Sequence, residues 1–398
     1  MKGPFVFLTA TLLIFLLNSF FLLKTDKATE KPKGQGQSEK SIGLHQSGFI
    51  GRSEEVPFLK LNRNNSEVAN IVFKSSDGGQ TWQDISEGLP DNLLKKNVNR
   101  DGFFADDSGL YIRDGNGIYH RKANSTAPFW KKEIFPDKQG SIGSSKNGIL
   151  AFNHDGEILQ KTYGTSVWAP MYTDFLEKVR VDKVGTLFDK PGLWSPNTSQ
   201  ENVRTVFETT GGTVFIGTDK GLFKSSNSGK SWKHVHFGGS VIKLVESNGV
   251  LLSACQGGIL RSVDDGETWA WVINEGGGIA VETIDRGFAA ISYNTITQSR
   301  RIHISFDGGK TWKAIAEGLQ FYKHIPSIKQ IGVLPPSMYI SSIKQVGQYL
   351  ICGHADGIFR SSDMGKTWKL LLPSIGDKVY NLSVSGNVIY AIPTKRGC

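Results

Sequence analysis

A box of twelve residues recurs five times along this chain and limits its fold more than any other feature. It reads IVFKSSDGGQTW at 71–82, GLFKSSNSGKSW at 221–232, GILRSVDDGETW at 258–269, RIHISFDGGKTW at 301–312 and GIFRSSDMGKTW at 357–368. Each copy has alternating apolar residues, a basic or polar residue, then S-x-D-x-G-x-T-W; one copy carries Asn227 for Asp and Ser231 for Thr. The pattern predicts a β-hairpin. An Asp at the turn accepts backbone N–H groups, and the Gly after it supplies a backbone angle that other residues resist. Thr and Trp start the returning strand, with the indole plugging the space beneath the turn. The box is therefore read as a fold device. Its members are Ser75, Asp77, Gly79, Thr81 and Trp82; Asn227, Gly229 and Trp232; Asp264, Gly266 and Trp269; Asp307, Gly309 and Trp312; and Asp363, Gly365 and Trp368. As a buried aromatic, Trp368 is expected to cost about 3–5 kcal/mol when replaced by Ala.

The spacing of the boxes sets the architecture. Their first serines at Ser225, Ser262, Ser305 and Ser361 are roughly 37, 43 and 56 residues apart, the size of a four-stranded propeller blade with insertions. Between Ser75 and Ser225 lie worn units over 103–135 and 141–172 that keep strand patterns such as GIYHRK and GILAFNH without the Asp turn. The chain is thus expected to be all-β, a β-propeller of seven four-stranded blades. Six is the alternative if 98–172 hold one true blade. The segment KVYNLSVSGNVIYAI at 378–392 matches two inner strands with no box after it, and the first box has no inner strands before it. Joining the two completes one blade from both chain ends and removes free sheet edges.

Ahead of this domain, residues 4–23 form an almost uncharged apolar run between Lys2 and Lys24. It is long enough to cross a bilayer as a helix, and no small-x-small cleavage site follows it, so an uncleaved anchor is favoured over a signal peptide. Residues 24–48 are rich in Lys, Gly, Gln and Ser and read as a flexible stalk. The expected order is anchor 1–23, stalk 24–48 and propeller 49–398. The lysines after the run favour a cytoplasmic C-terminal side, a bias that a large folded domain overrides. A single-pass protein with its propeller on the lumenal, extracellular or periplasmic side is expected, or a secreted one if the run is cleaved.

The formal charge of +9 is spread out, with no basic block beside an aromatic ladder, which argues against nucleic acid as a partner. The three cysteines, Cys255, Cys352 and Cys398, form no disulfide framework, and no metal-ligand spacing or cofactor motif is present. His154, His303 and His354 read as surface or turn residues rather than ligands. Sequons stand at Asn64, Asn124, Asn197 and Asn381. Two insertions are longer than compact domains usually carry. The first, 173–202, brings Arg180, Phe188 and Trp194; the second, 316–338, brings Phe321, Tyr322, Lys323 and His324. Arg204 and Lys243 open the first strands of adjacent units, where they add positive charge near the central opening.

The boxes SSDGGQTW, SVDDGETW, SFDGGKTW and SSDMGKTW resemble the Asp boxes, or BNR repeats, of the sialidase-like propellers. The G-[IL]-[FL]-[KR]-S approach to the box is most similar to the photosystem II stability/assembly factor-like group, and less to sortilin-type receptors and exo-sialidases. The resemblance implies a propeller and places the box on the blade periphery. It implies two functions. One is a non-catalytic scaffold, assembly factor or receptor that binds a protein or glycoconjugate on one face. The other is an exo-sialidase with an arginine cluster, a Tyr–Glu pair and an Asp acid/base. Arg100, Arg180 and Arg204 are the arginines expected near the axis, but the family's early F/Y-R-I-P segment is missing, and RIH at 301–303 lies on a box-bearing strand. The binding role is favoured.

Overall fold

The structure, a computed structural model, describes residues 70–91, 93, 98–115, 117–125, 129–134, 140–152, 157–172, 175, 202–315, 339–376 and 378–395. The expected anchor, the stalk and the sequon Asn64 lie outside the described residues. Among the described residues no helix is long and apolar enough to cross a membrane.

The described chain is all β. The first box gives β1 (Phe73–Ser75) and β2 (Gln83–Asp84). A sheet follows from β3 (Phe103–Asp106), β4 (Gly109–Asp114), β5 (Gly117–Arg121) and β6 (Lys131–Ile134). The next holds β7 (Ser141–Ser145), β8 (Gly148–Phe152), β9 (Ile158–Thr162) and β10 (Trp168–Met171). After the first insertion come β11 (Val203–Glu208), β12 (Val214–Thr218), β13 (Gly221–Ser225) and β14 (Lys233–Phe237). A six-stranded sheet contains β15 (Val241–Ser247), β16 (Val250–Ser262), β17 (Ala270–Ile284), β18 (Gly287–Asn294), β19 (Ser299–Ser305) and β20 (Lys313–Ala314). Then follow β21 (Ser342–Val346), β22 (Tyr349–His354), β23 (Gly357–Ser361) and β24 (Lys369–Pro373), and finally β25 (Lys378–Ser385) and β26 (Val388–Lys395). Among the described residues all neighbouring strands pair antiparallel, as expected of hairpin-connected blades.

The last two strands do not form a sheet of their own. They join the first two in the order β2-β1-β26-β25, with Phe73 opposite Ala391 and Ser75 opposite Ile389. The two ends of the domain therefore complete one blade, as the sequence predicts. The inner strands β25, β3, β7, β11, β15, β17 and β21 pack in cyclic order and return to β25.

The expectation of seven separate blades is corrected: the described residues form six sheets. The stretch 98–172 holds two sheets, so the reduction does not arise where the alternative placed it. It arises where the repeats carrying the Asp264 and Asp307 boxes fuse into one sheet through the long strands β16 and β17. Glycines permit the fusion. A Cβ on Gly278 would overlap the carbonyl oxygen of Gly258, so only glycine lets these strands approach so closely.

Second strands such as β8 and β12 are buried along their whole length. Both faces of each sheet pack on neighbours around the ring, so these strands read as continuous apolar runs rather than alternating ones. Apolar clusters fill the spaces between sheets. Phe73, Trp82, Ile351, Ile358, Tyr380 and Ile389 form the one beside the closing blade.

The boxes link third and fourth strands. Ser75 Oγ donates to Asp77 Oδ1 at 2.8 Å and accepts the Gly79 N–H at 2.9 Å. Asp77 accepts the Thr81 N–H at 3.0 Å and its hydroxyl at 2.6 Å, and the Trp82 indole donates to Gly79 O at 3.0 Å. The same set recurs in the boxes of Asp264, Asp307 and Asp363. In the variant box Asn227 still accepts the Ser231 N–H at 2.9 Å, but its amide donates to the Ser231 hydroxyl at 2.8 Å, which reverses that side-chain bond. Among the described residues the buried Trp232 indole N–H there meets no acceptor, and Phe175 and Tyr172 pack edge-on against the ring.

The Asp363 box also touches the preceding sheet. A Cβ on Gly365, whose φ is +86°, would overlap Ile315. The basic residue before a box reaches forward to the next one. Lys224 pairs with Asp265 at 3.1 Å and Glu267 at 2.7 Å, and Arg261 Nε donates to Gly308 O at 2.7 Å. Arg360 Nη1 donates to Gly78 O at 3.0 Å, which carries the series across the closure.

The box hydrogen bonds hold the aspartates in their ionised form. Thr367, then Ser361, lower the Asp363 carboxyl to about 2, and Asp264 and Asp307 are held well below the usual range by Thr268 and Thr311 in the same way. A carboxyl whose folded value is depressed stabilises the fold above its unfolded value of about 4, and that share is lost as pH falls through the folded value. Urea midpoints are therefore expected to drop between about pH 4 and pH 2. Asp363→Asn is expected to make the drop shallower, because an amide sustains the same turn at Asn227. Equal acid slopes for the two proteins would contradict this role for the carboxylate.

Candidate functional site

The inner strands surround a cavity of about 370 Å³ on the axis of the ring. Its charged lining comes from inner strands of several sheets, with Lys243 and Glu282 both on the six-stranded one. Arg100 and Asp101 precede β3, Arg204 lies on β11, Lys243 on β15, Glu282 on β17 and Lys344 on β21. Alternation along each inner strand turns these side chains toward the axis while neighbours such as Ile343 enter the core.

Four cations thus face two carboxylates. Arg204 forms an ion pair with Asp219, a residue outside the lining that also accepts from Asn202 Nδ2 at 2.7 Å. Arg100 Nη2 donates to the carbonyls of Ile279 at 2.8 Å and Ser341 at 3.2 Å, which ties the closing side of the ring to β17 and β21. Lys243 and Lys344 both donate to the same oxygen, Glu282 Oε1, the latter at 2.6 Å.

The site shifts its own ionisation. Burial lowers the Lys243 ammonium to about 8, helped by the charges of Lys344 and Arg100 and opposed by Glu282. The Lys243 side chain keeps 38% exposure, and this surface faces the cavity. Burial pushes the Glu282 carboxyl up, but Lys243 and Lys344 more than reverse this and hold it below the usual range. Glu282 is therefore a fixed negative charge rather than a proton donor at neutral pH. Asp101 is the other carboxylate of the lining.

Of the residues singled out in the sequence, Arg204, Lys243 and Arg100 line this cavity. Arg180 and Trp194 of the first insertion, and Phe321, Tyr322, Lys323 and His324 of the second, lie outside the described residues. The box residues lie away from the cavity lining. Glu282 and Lys344 were missed. The available signal was a charge at an alternating position of an inner strand, as in SIKQV, which reads as solvent-facing until the ring closes around it.

Other expectations need correction. His303 and His354 are buried rather than at the surface. His303 Nε2 meets Ser292 Oγ at 2.9 Å inside the fused sheet, and His354 Nδ1 accepts the Asp356 N–H at 3.2 Å at the end of β22. His154 lies outside the described residues. Among the described residues no group of His, Cys, Asp and Glu is arranged to hold a metal ion. Cys255 and Cys352 are buried free thiols, and burial pushes Cys255 up to about 12. The sequon residue Asn381 is buried and donates to Thr394 Oγ1 at 2.8 Å, whereas Asn124 is exposed.

Family models for the repeat match two segments: BNR-Asp box repeat over residues 358–371 and BNR/Asp-box repeat over residues 303–314. No curated protein sequence matches the chain. Among solved structures, the GH74 xyloglucanase from Xanthomonas campestris is similar at a TM-score of 0.52 and 16% identity, over 76% of this chain and 52% of that one. The chain spans about half the length of that enzyme. YCF48 bound to D1 peptide gives a TM-score of 0.45 at 11% identity, over 75% of this chain and 96% of that one. YCF48 from Cyanidioschyzon merolae gives 0.44 at 13% identity, over 73% and 93%. These likenesses are of fold alone. With the repeat recognised in two segments, its turn recurring in all five boxes and the ring closed by both ends, the chain folds as a β-propeller that carries BNR/Asp-box repeats.

Proposed function

We propose that this chain is a membrane-anchored propeller without turnover of its own, which binds a macromolecular partner through the face onto which the axial cavity opens. The supporting observation is the charge of the cavity: cations from separate sheets outnumber its carboxylates, and among the described residues the lysine pair shares the one carboxylate of Glu282. Such a surplus favours an acidic partner and speeds its encounter. The insertions 173–202 and 316–338 add aromatic and basic residues of the types enriched in interfaces, and residues 4–23 hold the domain at a bilayer.

The second reading, an exo-sialidase-like hydrolase, draws on Arg100 and Arg204 in the lining. It is weaker because Arg100 is committed to two backbone carbonyls and Arg204 to Asp219. The test is to identify a partner by cross-linking in the native cell and then to measure its binding to the purified full chain. Salt-sensitive binding that is lost on deleting 316–338 is the expected result. Turnover of a fluorogenic sialoside that disappears in Arg204→Ala would overturn it.

A further inference from the structure

We infer that the axial cavity is a site for a compact carboxylate, gripped by Lys243 and Lys344 beside the Glu282 carboxylate they now share. The inference names the ligand chemistry of the partner-binding face proposed above. It rests on that reading only for the source of the carboxylate: an acidic side chain or chain terminus of a partner, as against a free small acid.

Three observations carry it. The first is stoichiometry. Two ammonium groups meet on one oxygen of one carboxylate, so the triad keeps a net positive charge on the lining of the open axial cavity. The second is donor capacity. An ammonium has three N–H donors. Among the described residues each lysine makes one hydrogen bond, to Glu282, so donors remain for a second acceptor. The third is size. A cavity of about 370 Å³ lies at the small end of ligand pockets, which suits one side chain or a short dicarboxylate rather than a folded surface.

Glu282 shows what the lysine pair accepts. Its carboxylate is the internal occupant of the site, and an incoming carboxylate either joins it or takes its place. Charge-assisted hydrogen bonds to both ammoniums would then hold the ligand. The charges that face Lys243 are Glu282 on β17, Lys344 on β21 and Arg100 before β3, with Arg204 and Asp101 on the same lining. Burial among them brings the Lys243 ammonium to about 8, so affinity is expected to fall as pH rises through that value.

The experiment is calorimetric titration of the full chain at pH 6.5 with two probes, succinate and hexaglutamate. Wild-type protein is expected to bind both. Lys243→Gln and Lys344→Gln are each expected to weaken both by about tenfold, the effect of one lost charge-assisted bond. Glu282→Gln keeps the shape of the site and removes its internal carboxylate, so it is expected to tighten succinate several-fold. A purely structural triad would give the opposite sign. Succinate binding that is unchanged or weaker in Glu282→Gln, at an unchanged melting temperature, overturns the site. Hexaglutamate that binds both lysine variants as well as wild type overturns the axial site and leaves the partner reading standing. Succinate binding with the expected pattern and no hexaglutamate binding supports the site and overturns a partner as the source. Binding of neither probe overturns the site.

Discussion

A chain ending at Ile375 is expected to lose cooperative folding. The cut removes β25 and β26, which supply half of the closing sheet and pair β1 directly. Tyr380, Ile389, Tyr390, Ala391 and Ile392 are all buried, and they contribute to the apolar clusters on both sides of that sheet. Losing them exposes the edge of β1, opens the ring beside β21 and β3, and leaves two apolar sheet faces in water. A domain is stable by only about 5–15 kcal/mol, and burying several large side chains at about 1.5–3 kcal/mol each exceeds most of that margin. The uncut chain is expected to stay soluble and to unfold cooperatively. Soluble yield and thermal unfolding by circular dichroism separate the two cases. A chain ending at Ile375 with full stability would show that the ends do not close the ring.

Replacement of Trp82 by Ala is expected to destabilise the protein by about 3–5 kcal/mol, the range for a buried aromatic. Trp82 is 6% exposed, sits in the cluster of the closing blade and donates to Gly79 O. Trp368, from which the sequence leads one to expect the same loss, is only partly buried, so the full cost moves to Trp82 and Trp368→Ala is expected to cost less. Both indoles keep their bond to the box glycine, and Trp368 donates as well to Ile315 O at 3.3 Å, so a smaller loss at Trp368 reflects its shallower burial and not a shortage of hydrogen bonds. Chemical denaturation of the two variants side by side measures it. Equal losses would mean that the hydrogen bond, rather than the packing of the ring, sets the contribution of the box tryptophan.

The hairpins and the closure were legible because each depends on local chemistry. Asp363, Gly365 and Trp368 specify a turn within a few residues, and the unpaired strands at 378–392 signal a missing partner as plainly as the unpaired first box. The sheet count was not legible. The repeat spacing gives no sign that Gly276, Gly277 and Gly278 let β17 run on from one repeat into the next and pass close to β16. The site was half legible. Arg204 and Lys243 stand at the openings of units, where a ring brings them to its axis. Glu282 and Lys344 look like solvated charges on alternating strands, and only the circular arrangement gives them a common cavity. Histidine was misjudged for a related reason: in a sheet covered on both faces, even a polar position such as His303 is enclosed.

The axial cavity exists only if the two ends of the domain meet, so their proximity is the quantity to measure. Ser76 and Asn387 are exposed turn residues just beyond the pair Ser75 and Ile389, which places them within roughly 10 Å of each other by strand geometry. Cysteines introduced by Ser76→Cys and Asn387→Cys, with Cys398→Ser to remove the terminal thiol, can be treated with a bismaleimide of similar span. Cys255 and Cys352 are buried and stay out of reach. Mass spectrometry of the digest is expected to find the two peptides joined within one chain, at high yield and independent of protein concentration. Only single-ended adducts, or links that form between chains and grow with concentration, would contradict a ring closed by its own ends.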